Sequence, residues 1–351
     1  MDLKKKGSLQ IPEGVTEIEY KEFYNCTKLT SVTLPKSVTK IDWRAFEGCT
    51  GLASITIPEG VTEIGWGAFK DCTSLKSVTI PKSVVDIGYK AFYGCTGLKS
   101  ITIPESVMQI GDMAFEGCTG LTSITIPEGV TEIGKGAFKD CTGLTNITIP
   151  KGVSKIEMGV FMCCTGLTGI TIPEGVVEIG EHAFFGCTGL TSITIPESVV
   201  EIGECAFHDC TGLKSITIPK GVTLIGQGAF HGCAGLTSIT IPESVILIDR
   251  EVFKDCTELT NITIPESVTI IGKRAFAGCM GLTTITIPKS VTMIGKHAFY
   301  YTSLEKVYFE GDAPRLGLDV FEGTTAIVYY RKGTKGWEKT FGGLPTQEID
   351  E

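Results

Sequence analysis

Apolar and polar positions repeat along this chain with a period of 23 residues. In one unit, Ile101 and Ile103 alternate with Ser100 and Thr102. Alternation of this kind predicts a short strand with one buried face and one face in solvent. Pro104 follows and is expected to end the strand, because proline has no N–H to donate to a ladder.

The second half of the unit has a different spacing. Val107 and Ile110 predict another short extended segment, and Gly111 is expected to turn the chain. Phe115 and Cys118, with the alanine before them, then have the spacing of a single helical or 3₁₀ turn with inward side chains. Each unit is therefore expected to alternate a strand with a helical turn.

Three residue types mark the period. The 23-residue step is kept by 13 of 15 prolines, by 12 of 14 cysteines and by 13 of 17 phenylalanines. One unit cannot bury its apolar face alone, whereas stacked units form a continuous core. The pattern predicts a single α/β solenoid, right-handed as parallel crossovers are. Its parallel sheet would form the concave face, with short strands and single helical turns on the other sides.

The repeat changes register near its end. Leu304 follows the preceding repeat leucine by 22 residues, and Thr302 stands where a cysteine is expected. We therefore divide the chain into an N-terminal flank at 1–11, a repeat solenoid of about 13 coils at 12–303, and a C-terminal capping segment at 304–351.

The repeat over residues 9–304 reads L-x-x-I-T-I-P-x-x-V-x-x-I-G-x-x-A-F-x-x-C-T. It resembles the BspA-like leucine-rich repeats, a 23-residue class, and the segment that begins at Val307 resembles the cap that closes such arrays. The resemblance implies surface proteins of bacteria and protists that act in adhesion and bind host or neighbour proteins. It supplies no catalytic residues and no cofactor. We therefore expect a non-enzymatic scaffold whose partner is a protein or a glycan.

Charge and hydropathy narrow the function. With 31 Lys+Arg against 40 Asp+Glu the net charge is −9, which disfavours nucleic acid as a partner. No apolar run reaches about 18 residues, so no transmembrane helix is expected. Lys4, Lys5 and Lys6 form a basic cluster without an apolar stretch behind it, so no signal peptide is visible. These lysines would also protect an open strand edge from pairing. The compartment stays open, although the resemblance favours the surface or secretion.

The 14 cysteines follow neither a disulfide nor a metal pattern. No C-x-x-C pair occurs, and the four histidines do not stand at zinc-ligand spacing from the cysteines. Cysteine behaves as a small hydrophobic residue when it is buried. We expect a ladder of buried thiols and no bound metal or cofactor.

One group of residues departs from the pattern near the N-terminal end. The first residue after the turn position is aromatic in the first four coils and polar or Met in the other nine, so it is expected to be exposed. We call this group the aromatic stripe: Tyr20, Trp43, Trp66 and Tyr89. Contiguous exposed aromatic residues indicate contact with a protein or a glycan. The alternative is that the rings shield the N-terminal coils.

A second departure lies two residues after the repeat valine, where nine polar residues are followed by four apolar ones. We call these four the apolar strip: Leu224, Leu247, Ile270 and Met293. The strip predicts an interface, and a self-associating structural protein, such as a homodimer, is the alternative function. Cover by the C-terminal cap or by neighbouring long side chains would also explain it.

A single constellation has the chemistry of a catalytic or metal site. Cys205 is out of register, His208 follows it by one predicted helical turn, and His231 holds the place of His208 in the next coil. A thiol and two imidazoles bind soft metals or pair as thiolate and base. A solenoid exterior offers no pocket, however, so the sequence favours surface histidines and a reactive thiol over an enzyme.

Overall fold

The computed structural model describes residues 7–350, so Lys4, Lys5 and Lys6 lie outside the described residues. The chain divides into two compact units, Met1–Val176 and Val177–Glu351. The strands of the first unit are β1 (Ser8–Gln10), β2 (Glu17–Ile18), β3 (Ser31–Thr33), β4 (Lys40–Ile41), β5 (Ser54–Thr56), β6 (Glu63–Ile64), β7 (Ser77–Thr79), β8 (Asp86–Ile87), β9 (Ser100–Thr102), β10 (Gln109–Ile110), β11 (Ser123–Thr125), β12 (Glu132–Ile133), β13 (Asn146–Thr148), β14 (Lys155–Ile156) and β15 (Gly169–Thr171).

The second unit contains the remaining strands. They are β16 (Glu178–Ile179), β17 (Ser192–Thr194), β18 (Glu201–Ile202), β19 (Ser215–Thr217), β20 (Leu224–Ile225), β21 (Ser238–Thr240), β22 (Leu247–Ile248), β23 (Asn261–Thr263), β24 (Ile270–Ile271), β25 (Thr284–Ile287), β26 (Met293–Ile294), β27 (Lys306–Phe309), β28 (Arg315–Leu316), β29 (Ile327–Arg331), β30 (Thr340–Phe341) and β31 (Leu344–Ile349).

In the first unit the odd-numbered strands form one parallel sheet, and β2 to β12 form a second parallel ladder of two-residue strands. Register follows the 23-residue step, so Ile101 of β9 lies beside Ile124 of β11. Ile101 and Ile103 are 5% exposed, whereas the Ser and Thr of the same strand face solvent. The predicted parallel leucine-rich-repeat fold is confirmed.

The predicted helical turns are wrong, because no residue among 7–350 lies in a helix. The segment after each two-residue strand divides its amide groups between two ladders. The N–H of Phe46 donates to the carbonyl of Ala68 in the next coil (2.8 Å), while the N–H of Glu47 donates to the carbonyl of Arg44 (3.1 Å). Left-handed φ angles of 57° at Arg44 and 73° at Gly48 produce this alternation. A helix would use all these amides internally, so the α/β class is not supported.

Gly111 does not turn the chain through a positive φ angle, as the sequence had suggested. A Cβ atom built there would lie 2.8 Å from the backbone carbon of Gly88 and 2.8 Å from the nitrogen of Tyr89. Real Cβ atoms do not approach backbone that closely. The glycine is needed because the backbones of successive coils touch at this point.

Two columns of side chains fill the interior. The phenylalanine rings stack coil on coil, as in the pair Phe115 and Phe138, whose centroids are 5.5 Å apart with planes 1° apart. The cysteine thiols lie beside them, and the Cys118 Sγ donates to the carbonyl of Phe92 at 3.2 Å. Twelve cysteines are buried, and no disulfide bond occurs in residues 7–350. The expected thiol ladder is confirmed.

The C-terminal part of the second unit ends in a closed sheet. Strands β25, β27, β29 and β31 pair in parallel, and β30 pairs antiparallel with β31. Phe321 stacks on Phe299 at 5.5 Å, so the phenylalanine column continues through the 22-residue step. Trp337 packs at 5.0 Å from both Phe309 and Tyr330. Aromatic packing therefore covers the last coil.

Candidate functional site

The aromatic stripe lies on the surface of the first unit. Tyr20, Trp43 and Trp66 are 55%, 49% and 50% exposed, and Tyr89 is 38% exposed. The indoles of Trp43 and Trp66 stack at 4.8 Å with planes 9° apart, whereas Tyr89 meets Trp66 edge-on at 6.0 Å. The rings therefore form a short, partly stacked row.

The backbone of the turn segments sets the spacing of this row. The carbonyl of Trp66 accepts from the N–H of Arg44 at 2.8 Å, and the carbonyl of Tyr89 accepts from the N–H of Gly67 at 2.8 Å. These bonds belong to the ladder between coils, so each ring is held one coil away from the next. The surface row is therefore as regular as the core beneath it.

Two grooves run beside the stripe. The first, of about 360 Å³, is lined by the four rings and by Arg44, Lys70 and Lys90. The second, of about 550 Å³, lies against Trp66 and Tyr89, and its polar lining residues are Glu63, Asp86, Gln109, Asp112 and Glu132. Thus the stripe has a basic edge and an acidic edge.

Neighbouring groups hold the basic edge in place. The Lys70 ammonium lies 2.8 Å from Glu47 and 2.8 Å from Asp71. Burial lowers the pKa of Lys70, but the bonds to Asp71 and Glu47 outweigh it and the pKa is raised. The Lys90 ammonium lies 5.0 Å from the centre of the Tyr89 ring, a cation–π distance. Positive charge therefore persists at this edge at neutral pH.

The linings of both grooves contain carboxylates, amides, basic groups and rings, but neither histidine nor cysteine. A nucleophile with its activating base is therefore missing from these linings. Half-exposed aromatic rings between opposite charges suit the recognition of a surface, since aromatic and Arg side chains dominate interface energetics. The geometry supports binding.

The apolar strip lies in the second unit. Leu247, Ile270 and Met293 pair in register on β22, β24 and β26. Leu224 and Met293 are 44% and 42% exposed, and the two residues between them are half-buried. Ile246 beside the strip is 63% exposed and was missed, because its place in other coils is often Thr or Val, which gave no contrast.

Part of the cysteine–histidine constellation comes together in the structure. The rings of His208 and His231 stack at 4.2 Å with planes 16° apart. The His231 Nε2 lies 3.2 Å from an oxygen of Asp255 and 3.3 Å from the Lys254 ammonium. The lysine thus occupies the space where a metal would approach this nitrogen.

The thiol of this constellation is a weak nucleophile. The Cys205 Sγ faces the carbonyl of Gln227 at 3.8 Å. Burial, together with the negative charge of Glu204, raises the pKa of Cys205. Burial, with the nearby His231, lowers the pKa of His208. Thiolate formation is disfavoured, and the arrangement lacks the activation that a catalytic cysteine needs.

The sequence analysis missed another cluster. Among residues 7–350, His297, Asp319 and Glu322 bring one donor atom each to within 4.8 Å of one another. Asp319 is the counterpart of His297 in the following coil, but the step there is 22 residues, so a 23-residue alignment does not match them. Phe299 and Phe321, which stack, were the signal that could have revealed it.

Within the described part of the chain, no helix has the length and apolar character needed to cross a membrane.

The family model described as BspA type leucine rich repeat region (6 copies) matches residues 3–119, 85–214 and 202–328. No curated protein matches the chain. A leucine-rich repeat protein from Bacteroides ovatus is 28% identical, with a TM-score of 0.73, over 98% of this chain and 92% of that one. A leucine rich cell surface protein from Faecalibacterium prausnitzii is 33% identical, with a TM-score of 0.53, over 86% and 81%.

A leucine-rich repeat protein from Eubacterium ventriosum has the same fold, with 23% identity and a TM-score of 0.51 over 91% of this chain and 89% of that one. The similar chains are leucine-rich repeat proteins, as the family model is.

Proposed function

Because the chain belongs to the BspA type leucine-rich repeat family, we propose that it is a non-enzymatic binding scaffold that recognises a protein partner through the aromatic stripe. The observation that carries the proposal is the exposure of four aromatic residues on successive coils, two of them tryptophans that are half exposed. Soluble proteins rarely leave such a row uncovered without a partner. The cell-surface description of the Faecalibacterium relative supports a role in adhesion.

The ring geometry favours a protein over a glycan. A sugar packs against the open face of an aromatic ring, but Trp43 and Trp66 cover one face of each other at 4.8 Å. What the pair presents outward is mainly ring edges between a basic and an acidic groove. Ring edges and flanking charges suit a protein surface with aromatic or aliphatic side chains and charges of both signs.

Capture from cell extracts tests this proposal. Immobilised wild-type chain is compared with a Trp43→Ala/Trp66→Ala variant, and bound proteins are identified by mass spectrometry. Since interface tryptophans often contribute about 2 kcal/mol or more, recovery of the partner should fall at least about tenfold.

The matched control is Lys135→Ala/Gln227→Ala, which changes the same repeat position in coils without aromatic residues. It should retain the partner. Equal recovery by the tryptophan variant would sink the stripe as a binding surface. Stripe-dependent binding on a glycan array, with no protein recovered, would replace the protein partner with a carbohydrate.

A second function, self-association through the apolar strip, is favoured by the in-register Leu247, Ile270 and Met293 with exposed Ile246 beside them. Light scattering during size-exclusion chromatography tests it. A dimer of wild-type chain should become a monomer in Leu247→Asp/Ile270→Asp, since burying unpaired carboxylates is costly. Asp86 occupies this position in another coil, so the substitution is compatible with the fold.

The control for this experiment is Gln109→Asp/Glu132→Asp, which makes the same substitutions at the same strand position outside the strip. It should keep the wild-type mass. If the wild-type chain is a monomer at all concentrations tested, the self-association function is excluded.

A further inference from the structure

We propose that His297, Asp319 and Glu322 bind a divalent first-row metal ion, with Zn²⁺ as the expected ion, and that the ion joins two successive coils of the second unit. The His297 Nε2 lies 3.6 Å from an oxygen of Asp319 and 3.7 Å from an oxygen of Glu322. In a tetrahedral zinc site with bonds of about 2.0–2.1 Å, neighbouring donors are about 3.4 Å apart. Shifts of a few tenths of an ångström would place all three around one ion.

The backbone holds the three ligands in this arrangement. The N–H of His297 donates to the carbonyl of Leu318 at 3.0 Å, and the N–H of Tyr301 donates to the carbonyl of Glu322 at 2.9 Å. The imidazole packs at 4.9 Å against Tyr300, and its Nδ1 is buried. Nε2 is therefore the ring nitrogen that faces the carboxylates, and a metal would find it already oriented.

The charge around the cluster points to a missing cation. Other carboxylates of the turn segments have a basic partner from the next coil, as Glu116 has Lys139 at 2.9 Å and Glu251 has Arg274 at 3.6 Å. Within the described residues, no Lys or Arg nitrogen lies within 4.0 Å of Asp319 or Glu322. Two carboxylates therefore share one imidazole without a neutralising lysine or arginine, and a divalent ion would supply that charge.

The donor set selects the class of metal. One imidazole nitrogen and two carboxylate oxygens suit Zn²⁺ and its first-row neighbours better than Ca²⁺, which takes six to eight oxygens. Asp319 and Glu322 are 56% exposed, so the site is open to entry and leaves room for water as a fourth ligand. Because the ligands belong to two coils, binding would stabilise the contact between them.

The chain contains an internal comparison for this site. His182, Cys205 and His208 occupy the same three repeat positions earlier in the second unit. The His182 Nδ1 is instead turned to Glu181 at 3.1 Å, and these three side chains do not form a group with metal-ligand spacing. His182 and His297 both have left-handed backbones, with φ angles of 54° and 57°. Asparagine tolerates this conformation, so matched substitutions are available at both places.

The experiment titrates the metal-free, reduced chain with Zn²⁺ against a chromophoric chelator. Wild type and His182→Asn should bind equally, and His297→Asn should bind at least about tenfold more weakly, because even loss of an outer-shell partner costs 10–100-fold. Co²⁺ in place of Zn²⁺ should give ligand-field bands without sulfur-to-metal charge transfer, which would report a thiolate ligand.

Circular dichroism shows whether each variant is folded, and Glu322→Gln gives a second test if His297→Asn is not. Equal Zn²⁺ affinity of wild type and the folded ligand variant overturns the proposal. So does a Co²⁺ spectrum with thiolate charge transfer, since that would place the ion at a cysteine. Neither result touches the aromatic stripe, which lies in the other unit.

Discussion

Raising the pH above about 9 should unfold this protein over a narrow interval, because the buried cysteine thiols must stay protonated in the folded chain. Burial raises the pKa of Cys118 from 9.0 to about 12. Burial, with the neighbouring Cys26, also raises the pKa of Cys49 to about 12, and other thiols of the ladder shift in the same direction. The unfolded chain has no such restriction and ionises its thiols near their ordinary pKa.

The sign follows from proton linkage. A raised folded pKa contributes stability that is complete below the unfolded pKa, near 9, and is lost as pH rises toward the folded value. For Cys118 the shift corresponds to about 4 kcal/mol between these limits. Each buried thiol lowers the free energy of unfolding by about 1.4 kcal/mol per pH unit in this range. Twelve thiols acting together would exceed the 5–15 kcal/mol that stabilises typical domains.

Urea unfolding at increasing pH, followed by circular dichroism under reducing conditions, measures this dependence. Thiolate absorbance should rise together with the loss of structure, whereas Cys163 and Cys205, which are only partly buried, should react with thiol reagents in the folded chain. Cys118→Ala should reduce the pH slope by about one proton, while Cys205→Ser should leave it nearly unchanged. Full native dichroism at pH 12 with ionised thiols would contradict the linkage.

Replacing Phe138 with alanine should lower the free energy of unfolding by about 3–5 kcal/mol. Its ring is fully buried and stacks on Phe115 at 5.5 Å and on Phe161 at 5.9 Å. Alanine removes the buried ring area, leaves a cavity and interrupts the column. In repeat folds each unit is stabilised mainly by its neighbours, so the loss weakens two contacts between coils at once.

Urea denaturation at neutral pH measures this effect, with two controls. Phe138→Leu keeps most of the buried volume and should be clearly milder. Trp66→Ala removes a stacked ring from the half-exposed surface row and should cost about 1 kcal/mol, since much of that ring is already in water. A loss below about 1.5 kcal/mol for Phe138→Ala would mean that the column closes over the gap.

The core could be predicted from the sequence because its contacts repeat. Ile101, Phe115 and Cys118 lie at fixed steps, and a step that conserves an apolar residue through many coils has one cheap solution, a stack in register. The same spacing misled the prediction for the turn segment. Inward positions three and four apart look helical, and only the coil next door provides the acceptors that divert alternate amides from a helix.

The second left-handed position in each turn was also missed. It holds Gly67, Gly136, Gly159 and Gly228 in four coils, but Arg44 in another, so the glycine signal is incomplete. Recurrent glycine at one repeat place could have indicated a positive φ angle. Tertiary bonds to the next coil hold the other side chains in this conformation.

The surface divides in the same way. Variation at one repeat position identified Tyr20, Trp43, Trp66 and Tyr89 as outward-facing, since polar residues replace them elsewhere. That Trp43 and Trp66 stack, and that a basic and an acidic groove border them, depends on side-chain directions that no spacing specifies.

By itself the sequence determined the coil length, the buried columns and the exposed departures from them, because burial of a periodic apolar set depends mainly on local spacing. The tertiary structure alone decided where amides donate, why Gly111 has no side chain, and that His297 meets Asp319 and Glu322. Each of these depends on contacts between residues about 22 positions apart, and such contacts exist only when one coil rests on the next.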